Sequence, residues 1–198
     1  GVGKTQLCSH TAALTAARGG EVFWLDTERT FSPPRMLELL EAIFSKCAGN
    51  VKDMALGALK RIRTRVCTSL QELDSVVAEL VMYSRRGDSS PALVIVDSVA
   101  ALARNSGDVL AKNSSLIPAR QRALSALASK LKMLVGRPTA QKLTLPAVMV
   151  TNQVMGDPVG GGAKVALGLV WHHAVNWRLV LSHGSARDGP IPESLRFL

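Results

Sequence analysis

The sequence predicts an α/β fold with a mostly parallel sheet covered by helices on both faces. Short apolar runs that end in an acid or a polar residue alternate with longer stretches at helical spacing. Those runs are apolar at nearly every position, as strands buried on both faces are. The 198 residues, 47% of them apolar and 20% charged, suit one globular domain spanning residues 1–198.

Lys4 to about Arg18 is Ala-rich and helix-prone, and Gly19-Gly20 stops it. Glu21 to Asp26 is a short apolar run ending in an acid, a buried strand. Pro33-Pro34 starts a helix through about Lys46, with Met36, Leu37, Leu40 and Ile43 near helical spacing. Arg61, Arg63 and Arg65 alternate with Ile62 and Val66 loosely enough for an outer strand. Leu70 to Ser84 is a helix with Leu73, Val76, Val77, Leu80 and Val81 on one stripe, and Arg85 to Pro91 is a loop.

Ala92 to Asp97 is the clearest buried strand, and Asn105 to Ser115 is a polar loop. Ala119 to Val135 is an amphipathic helix with Leu124, Leu127, Leu131 and Leu134 inward. Leu145 to Thr151 is a further buried strand. Met155 to Lys164 is a Gly-rich mobile stretch. Ala174 to Leu181 alternates as a strand, and Glu193 to Leu198 reads as the last one. There is no internal repeat, and the longest apolar candidate, Pro91 to Ala103, carries Asp97 in its middle, which argues against a membrane span.

The first residues, Gly1-Val2-Gly3-Lys4-Thr5, read as the second half of the phosphate-binding pattern G-x-x-x-x-G-K-[ST]. Backbone N–H groups around Gly3 and Lys4 are expected to surround a β-phosphate. The Lys4 ammonium then reaches the β/γ-phosphates, and the Thr5 hydroxyl holds Mg²⁺. A Gly-rich turn is the plain alternative. The motif's first glycine and the strand before it are not in this sequence, so the expectation is an N-terminally truncated core.

Ligands of open α/β sheets sit outside the carboxyl ends of the strands. Four candidates fall at such ends: Lys4 with Thr5, Glu28, Asp97 and Gln153. Asp97 ends an apolar strand, the Walker B arrangement that orients a Mg²⁺ shell, or else it caps the segment starting at Ser98. Glu28 either orients the water attacking a γ-phosphate or is a surface turn acid. Gln153 either senses the γ-phosphate or is a polar strand cap.

The formal charge is +9, unevenly spread. From Arg104 to Lys142 there are eight basic residues against one acid, Asp108, a local +7. Lys60-Arg61-Ile62-Arg63-Thr64-Arg65 is a second cluster. Such concentration points to a polyanion partner, nucleic acid first, or to a solvated basic face. Cys8, Cys47 and Cys67 are odd in number and lack metal-type spacing, which favours reduced thiols over a disulfide or metal role.

Gly-Val-Gly-Lys-Thr-Gln-Leu-Cys (1–8), Trp-Leu-Asp-Thr-Glu-Arg-Thr-Phe (24–31), Val-Ile-Val-Asp-Ser-Val-Ala-Ala-Leu (94–102) and Val-Thr-Asn-Gln-Val (150–154) resemble, in order and spacing, the RecA-like recombinases of eukaryotes and archaea. Ala166-Leu167-Gly168-Leu169-Val170-Trp171 and the short loop after Gln153 look like the recombinase paralogues. Residues 34–42 look most like the D-type paralogue and residues 171–179 more like the B-type, so both types stay open.

The resemblance implies a RecA-like P-loop NTPase core that binds ATP and Mg²⁺. It implies phosphate contacts from Gly1, Val2, Gly3, Lys4, Thr5 and Gln6, and Mg²⁺ at Thr5 and Asp97. Glu28, Lys4 and Gln153 are its implied catalytic residues, and Arg35 lies against the adenine. Residues 105–119 and 155–165 correspond to the DNA-facing loops, with Arg104, Arg120 and Lys164 on single-stranded DNA phosphates. It further implies a nuclear, DNA-dependent ATPase with weak turnover that assists homologous-recombination repair. Its partners are other paralogues or the main recombinase, with no membrane role. A non-hydrolysing interaction subunit is the alternative. An N-terminal helical domain and polymerisation linker are not among these 198 residues, and the second loop lacks aromatics, so base stacking there is not expected. Trp171 is expected in the core and His172-His173 at the surface; on a strand, neighbouring histidines point apart and do not share an ion.

Overall fold

The structure, a computed structural model, describes residues 2–85, 90–103, 117–136, 145–156, 163–165, 167 and 171–181. Its elements in chain order begin with α1 (Lys4–Ala17), β1 (Val22–Asp26), α2 (Pro33–Phe44), α3 (Val51–Leu59), β2 (Ile62–Val66) and α4 (Leu70–Arg85). They continue with β3 (Leu93–Asp97), a helical stretch over residues 99–103, α5 (Ile117–Val135), β4 (Ala147–Val150), β5 (Val154–Gly156) and β6 (Ala163–Val165).

Four strands form a parallel sheet in the order β2-β1-β3-β4. Side chains along each strand alternate between two cores, as a period of two requires. Val22, Trp24, Leu93 and Ile95 face α1, α2 and α3, packing with Ala12, Ala16, Met36, Leu40 and Ala58. Leu25, Val94 and Val96 face α4 and α5, packing with Leu73, Val77, Leu124 and Leu127. Helices thus cover both faces, as the sequence predicts. The alanines of α1 let its backbone approach the sheet closely, and Gly20 extends that approach: a Cβ there would lie 2.8 Å from Ala92 Cβ.

The helix starts follow local chemistry. Ser32 accepts the Arg35 amide at the head of α2, where Pro33 and Pro34 occupy the first turn without needing N–H partners. Asn50 accepts the Lys52 and Asp53 amides and so starts α3, a nine-residue helix not anticipated from the sequence. The Arg-rich β2 is an outer strand of the described sheet, with its last four residues exposed.

Two expectations are corrected. Residues 174–181 form no strand, and Trp177 is 92% exposed. Alternation alone cannot make a strand without a partner to complete its ladder, and no described strand pairs with this one. The Gly-rich stretch at 155–164 has its two ends paired, β5 running antiparallel to β6 with Met155 opposite Lys164, and its middle, 157–162, lies outside the described residues. His172 and His173 lie on a helical turn and not on a strand, so their rings meet at 5.1 Å instead of pointing apart. Both are exposed, and His172 Nδ1 lies 2.9 Å from Arg178 Nη1. Trp171 is buried, as expected of a core residue. The polar loop expected at 105–115 and the strand expected at 193–198 both lie outside the described residues.

Candidate nucleotide site

The parallel register ends β1 and β3 level, with Asp26 beside Asp97. Both carboxylates are almost fully buried, at 3% and 4% exposure. A buried carboxylate needs hydrogen-bond donors, and each finds a different set.

Asp26 holds the loop that follows its own strand. Its Oδ1 accepts the Glu28 and Thr30 amides at 3.1 and 3.2 Å, and its Oδ2 accepts the Phe31 amide at 2.9 Å. The turn so formed puts Arg29 at φ 56° and fixes where Glu28 leaves the backbone.

Asp97 is held by hydroxyls from three other segments. Thr5 Oγ1 donates to Oδ2 at 2.8 Å, Thr30 Oγ1 to Oδ2 at 3.4 Å, and Thr151 Oγ1 to Oδ1 at 2.5 Å. The head of α1, the loop after β1 and the end of β4 therefore converge on one carboxylate. Beside it, Thr27 N donates to Asp97 O at 2.9 Å, and Ser98 Oγ donates to Glu28 Oε1 at 2.7 Å.

A cavity of about 310 Å³ opens over this cluster, lined by Val2, Gly3, Lys4, Thr5, Gln6, Glu28, Asp97, Ser98 and Gln153. Gly3 stands at φ 89°, a left-handed conformation that a side chain would oppose. No side chain caps the first turn of α1. Its leading amides and the positive end of its dipole are aimed where an anion gains most. Lys4 forms no ion pair among the described residues, so its charge is available to the same anion.

The donor chemistry fits Mg²⁺ bound together with phosphate. Thr5 and Asp97 supply one hydroxyl and one carboxylate, hard oxygen ligands, and Mg²⁺ is commonly held by one or two protein groups with phosphates and waters completing its shell. No cluster of three or more His, Cys, Asp or Glu side chains able to hold a metal exists among the described residues. Cys8 is packed beneath this site. Burial, with the Asp97 charge adding to it, pushes its thiol up to about 12.

The structure brings together Val2, Gly3, Lys4, Thr5, Gln6, Glu28, Asp97 and Gln153. Arg35 does not line the cavity; it sits on the exposed side of α2 and pairs with Glu38 at 2.7 Å. Arg120 is half-buried on α5, with its Nε enclosed and without a partner among the described residues. Lys164 belongs to β6, while Gly1 and Arg104 lie outside the described residues. Part of the basic segment's charge is spent internally, since Lys130 pairs with Asp74 between α5 and α4. Sequence reasoning missed Asp26, Thr30, Ser98 and Thr151 as parts of the site. The signal for Asp26 was the one used for Asp97, an acid closing an apolar strand; the hydroxyl residues carry none.

The family model described as Rad51 matches residues 1–189. The chain is 29% identical over 216 residues to human DNA repair protein RAD51 homolog 2, covering 92% of this chain and 53% of that protein. The mouse protein of the same name is 30% identical over 217 residues, covering 92% of this chain and 58% of that protein. A meiotic recombination protein DMC1 homolog of Lilium longiflorum is 32% identical over 211 residues, covering 97% of this chain and 55% of that protein. The chain thus spans a little over half the length of these relatives. With a RecA-like parallel sheet, a phosphate-loop helix and a family match over nearly all its residues, the chain belongs to the Rad51 family.

Proposed function

We propose that residues 1–198 act as one RecA-like ATPase core that binds ATP with Mg²⁺, engages single-stranded DNA and assists recombinational DNA repair. The observation that carries the reading is the cavity joining the uncapped α1 start to Lys4, Thr5, Glu28, Asp97 and Gln153. In this reading the α1 amides and Lys4 bind the phosphates, and Thr5 and Asp97 hold Mg²⁺, which supplies charge neutralisation at the transferring phosphoryl group. Glu28 orients the attacking water, and Gln153 contacts the terminal phosphate. Arg104, Arg120 and Lys164 neutralise DNA phosphates without reading sequence. The names of the relatives, a DNA repair protein and meiotic recombination proteins, support a repair role. In this reading that role places the chain in the nucleus, with other recombinase-family subunits as its partners.

The test pairs two measurements. Binding of a fluorescent ATP analogue in Mg²⁺ is expected for the wild type and lost in Lys4→Ala. ATP turnover with single-stranded DNA is expected to fall about 100-fold or more in Glu28→Gln while binding persists. A filter assay should show binding to single strands that weakens with salt. Absence of analogue binding sinks the nucleotide reading, and absence of salt-sensitive DNA retention sinks the DNA role.

A second reading, an interaction subunit with negligible turnover, is favoured by the way Asp97 is satisfied by three hydroxyls within the fold. It predicts that Lys4→Ala weakens subunit association whereas Glu28→Gln changes nothing measurable.

A further inference from the structure

The dipeptides Thr27-Glu28 and Asp97-Ser98 leave neighbouring strands at the same level and lock together. Thr27 Oγ1 accepts the Ser98 amide at 2.7 Å and donates to the Ser98 carbonyl at 2.7 Å. One hydroxyl therefore pins the Ser98 backbone on both sides. The Ser98 side chain reaches back across the same gap, with its Oγ 2.7 Å from Glu28 Oε1. Ser98 is 2% exposed, whereas Glu28 is exposed.

The direction of that bond follows from its surroundings. The Ala101 amide donates to Ser98 Oγ at 3.3 Å and occupies one of its lone pairs. A carboxylate oxygen accepts, so the Ser98 hydroxyl points its hydrogen at Glu28 Oε1 and remains the donor. An exposed glutamate has three side-chain torsions and samples many rotamers when free. Here one carboxylate oxygen is tethered to a buried hydroxyl on a pinned backbone, and both residues line the cavity.

We infer that Ser98 is a positioning residue for Glu28: it fixes one carboxylate oxygen and leaves the other to orient the attacking water. The inference rests on the ATPase reading above. Misplacement of a reacting group by about 1 Å costs on the order of 100-fold in rate, and the tether guards against displacements of that size.

ATP turnover by the full chain, with Mg²⁺ and single-stranded DNA, tests this. Ser98→Ala is expected to lower kcat by about 10- to 100-fold, with KM and ATP-analogue affinity unchanged. Ser98→Thr keeps the hydroxyl and should recover most of the rate. In a Glu28→Gln background, Ser98→Ala should add no further loss, because the two side chains act as one unit. Should the alanine variant fail to fold, Ser98→Cys conserves size with a much poorer donor and is expected to show the same loss. An unchanged kcat overturns the inference, as does an equal further loss in the Glu28→Gln background. A raised KM with kcat intact also overturns it. Those results leave the ATPase reading standing, whereas a wild-type chain that neither binds the analogue nor turns over ATP removes both.

Discussion

Thr151→Val probes the tie between β4 and the buried Asp97 carboxylate. Valine keeps the shape of threonine and removes only the hydroxyl. Thr151 is 5% exposed and Asp97 4%, so bulk water cannot supply a replacement donor for Oδ1. Oδ2 retains Thr5 at 2.8 Å and Thr30 at 3.4 Å, so the carboxylate is not stripped of every partner. The loss is therefore one hydrogen bond to a charged acceptor, about 1.5–3 kcal/mol. For a chain of 198 residues each kcal/mol moves the melting temperature by about 2–4 °C, so a loss near 2 kcal/mol lowers Tm by about 4–8 °C. Urea unfolding followed by circular dichroism should show a lower midpoint at unchanged slope. Thr151→Ser keeps the donor and should recover most of the difference. A change below about 0.5 kcal/mol in Thr151→Val, the range of an ordinary surface substitution, would refute the reasoning.

Three other outcomes are expected. Gly20→Ala places a Cβ 2.8 Å from Ala92 Cβ and 2.9 Å from Thr15 Cγ2, and should cost about 1–3 kcal/mol in thermal unfolding; a neutral result would reject the close approach of these segments. Asp26→Ala removes the acceptor for three backbone amides, so stability should fall by about 1–3 kcal/mol and ATP turnover should fall with it; an intact turnover would detach Glu28 from this loop. Among the cysteines, exposed Cys47 should react quickly with a thiol reagent at pH 8, and Cys8 and Cys67 only after unfolding.

The same two buried thiols set an alkaline limit. Burial, with the Asp97 charge, pushes Cys8 up to about 12, and burial, with Glu72 adding, pushes Cys67 up to about 11, both from 9.0. The folded chain keeps protons that the unfolded chain releases. Their contribution is complete below about pH 9 and is lost as pH rises through the folded values. The slope is about 1.4 kcal/mol per pH unit for each thiol. Cys8→Ala should flatten the fall of stability measured between pH 9 and 12; an identical slope would count against this account.

Much of the site was legible because its signals are local. A glycine, lysine and threonine ahead of a helix, and an acid closing an apolar strand, carry their chemistry within a few residues. Lys4, Thr5, Glu28, Asp97 and Gln153 were accordingly placed from sequence, and the structure gathers them around one cavity. Two-sided strands such as β3 were legible for the same reason, since continuous apolarity records burial on both faces.

What sequence could not supply is the set of contacts made across the chain. Thr5 and Asp97 are 92 positions apart, Thr27 and Ser98 71, and Thr151 and Asp97 54. Hydroxyl residues look alike wherever they fall in a sequence, and only the register of β1 on β3 and of β3 on β4 aims these at one carboxylate. Residues 174–181 make the converse point: their alternation has the period of a strand, but a strand exists only where a neighbour completes its hydrogen bonds. Sequence determined the chemical groups and the faces they occupy, because periodicity and motif spacing are written along the chain. Tertiary structure decided which groups meet, because strand order and register are properties of the packed sheet.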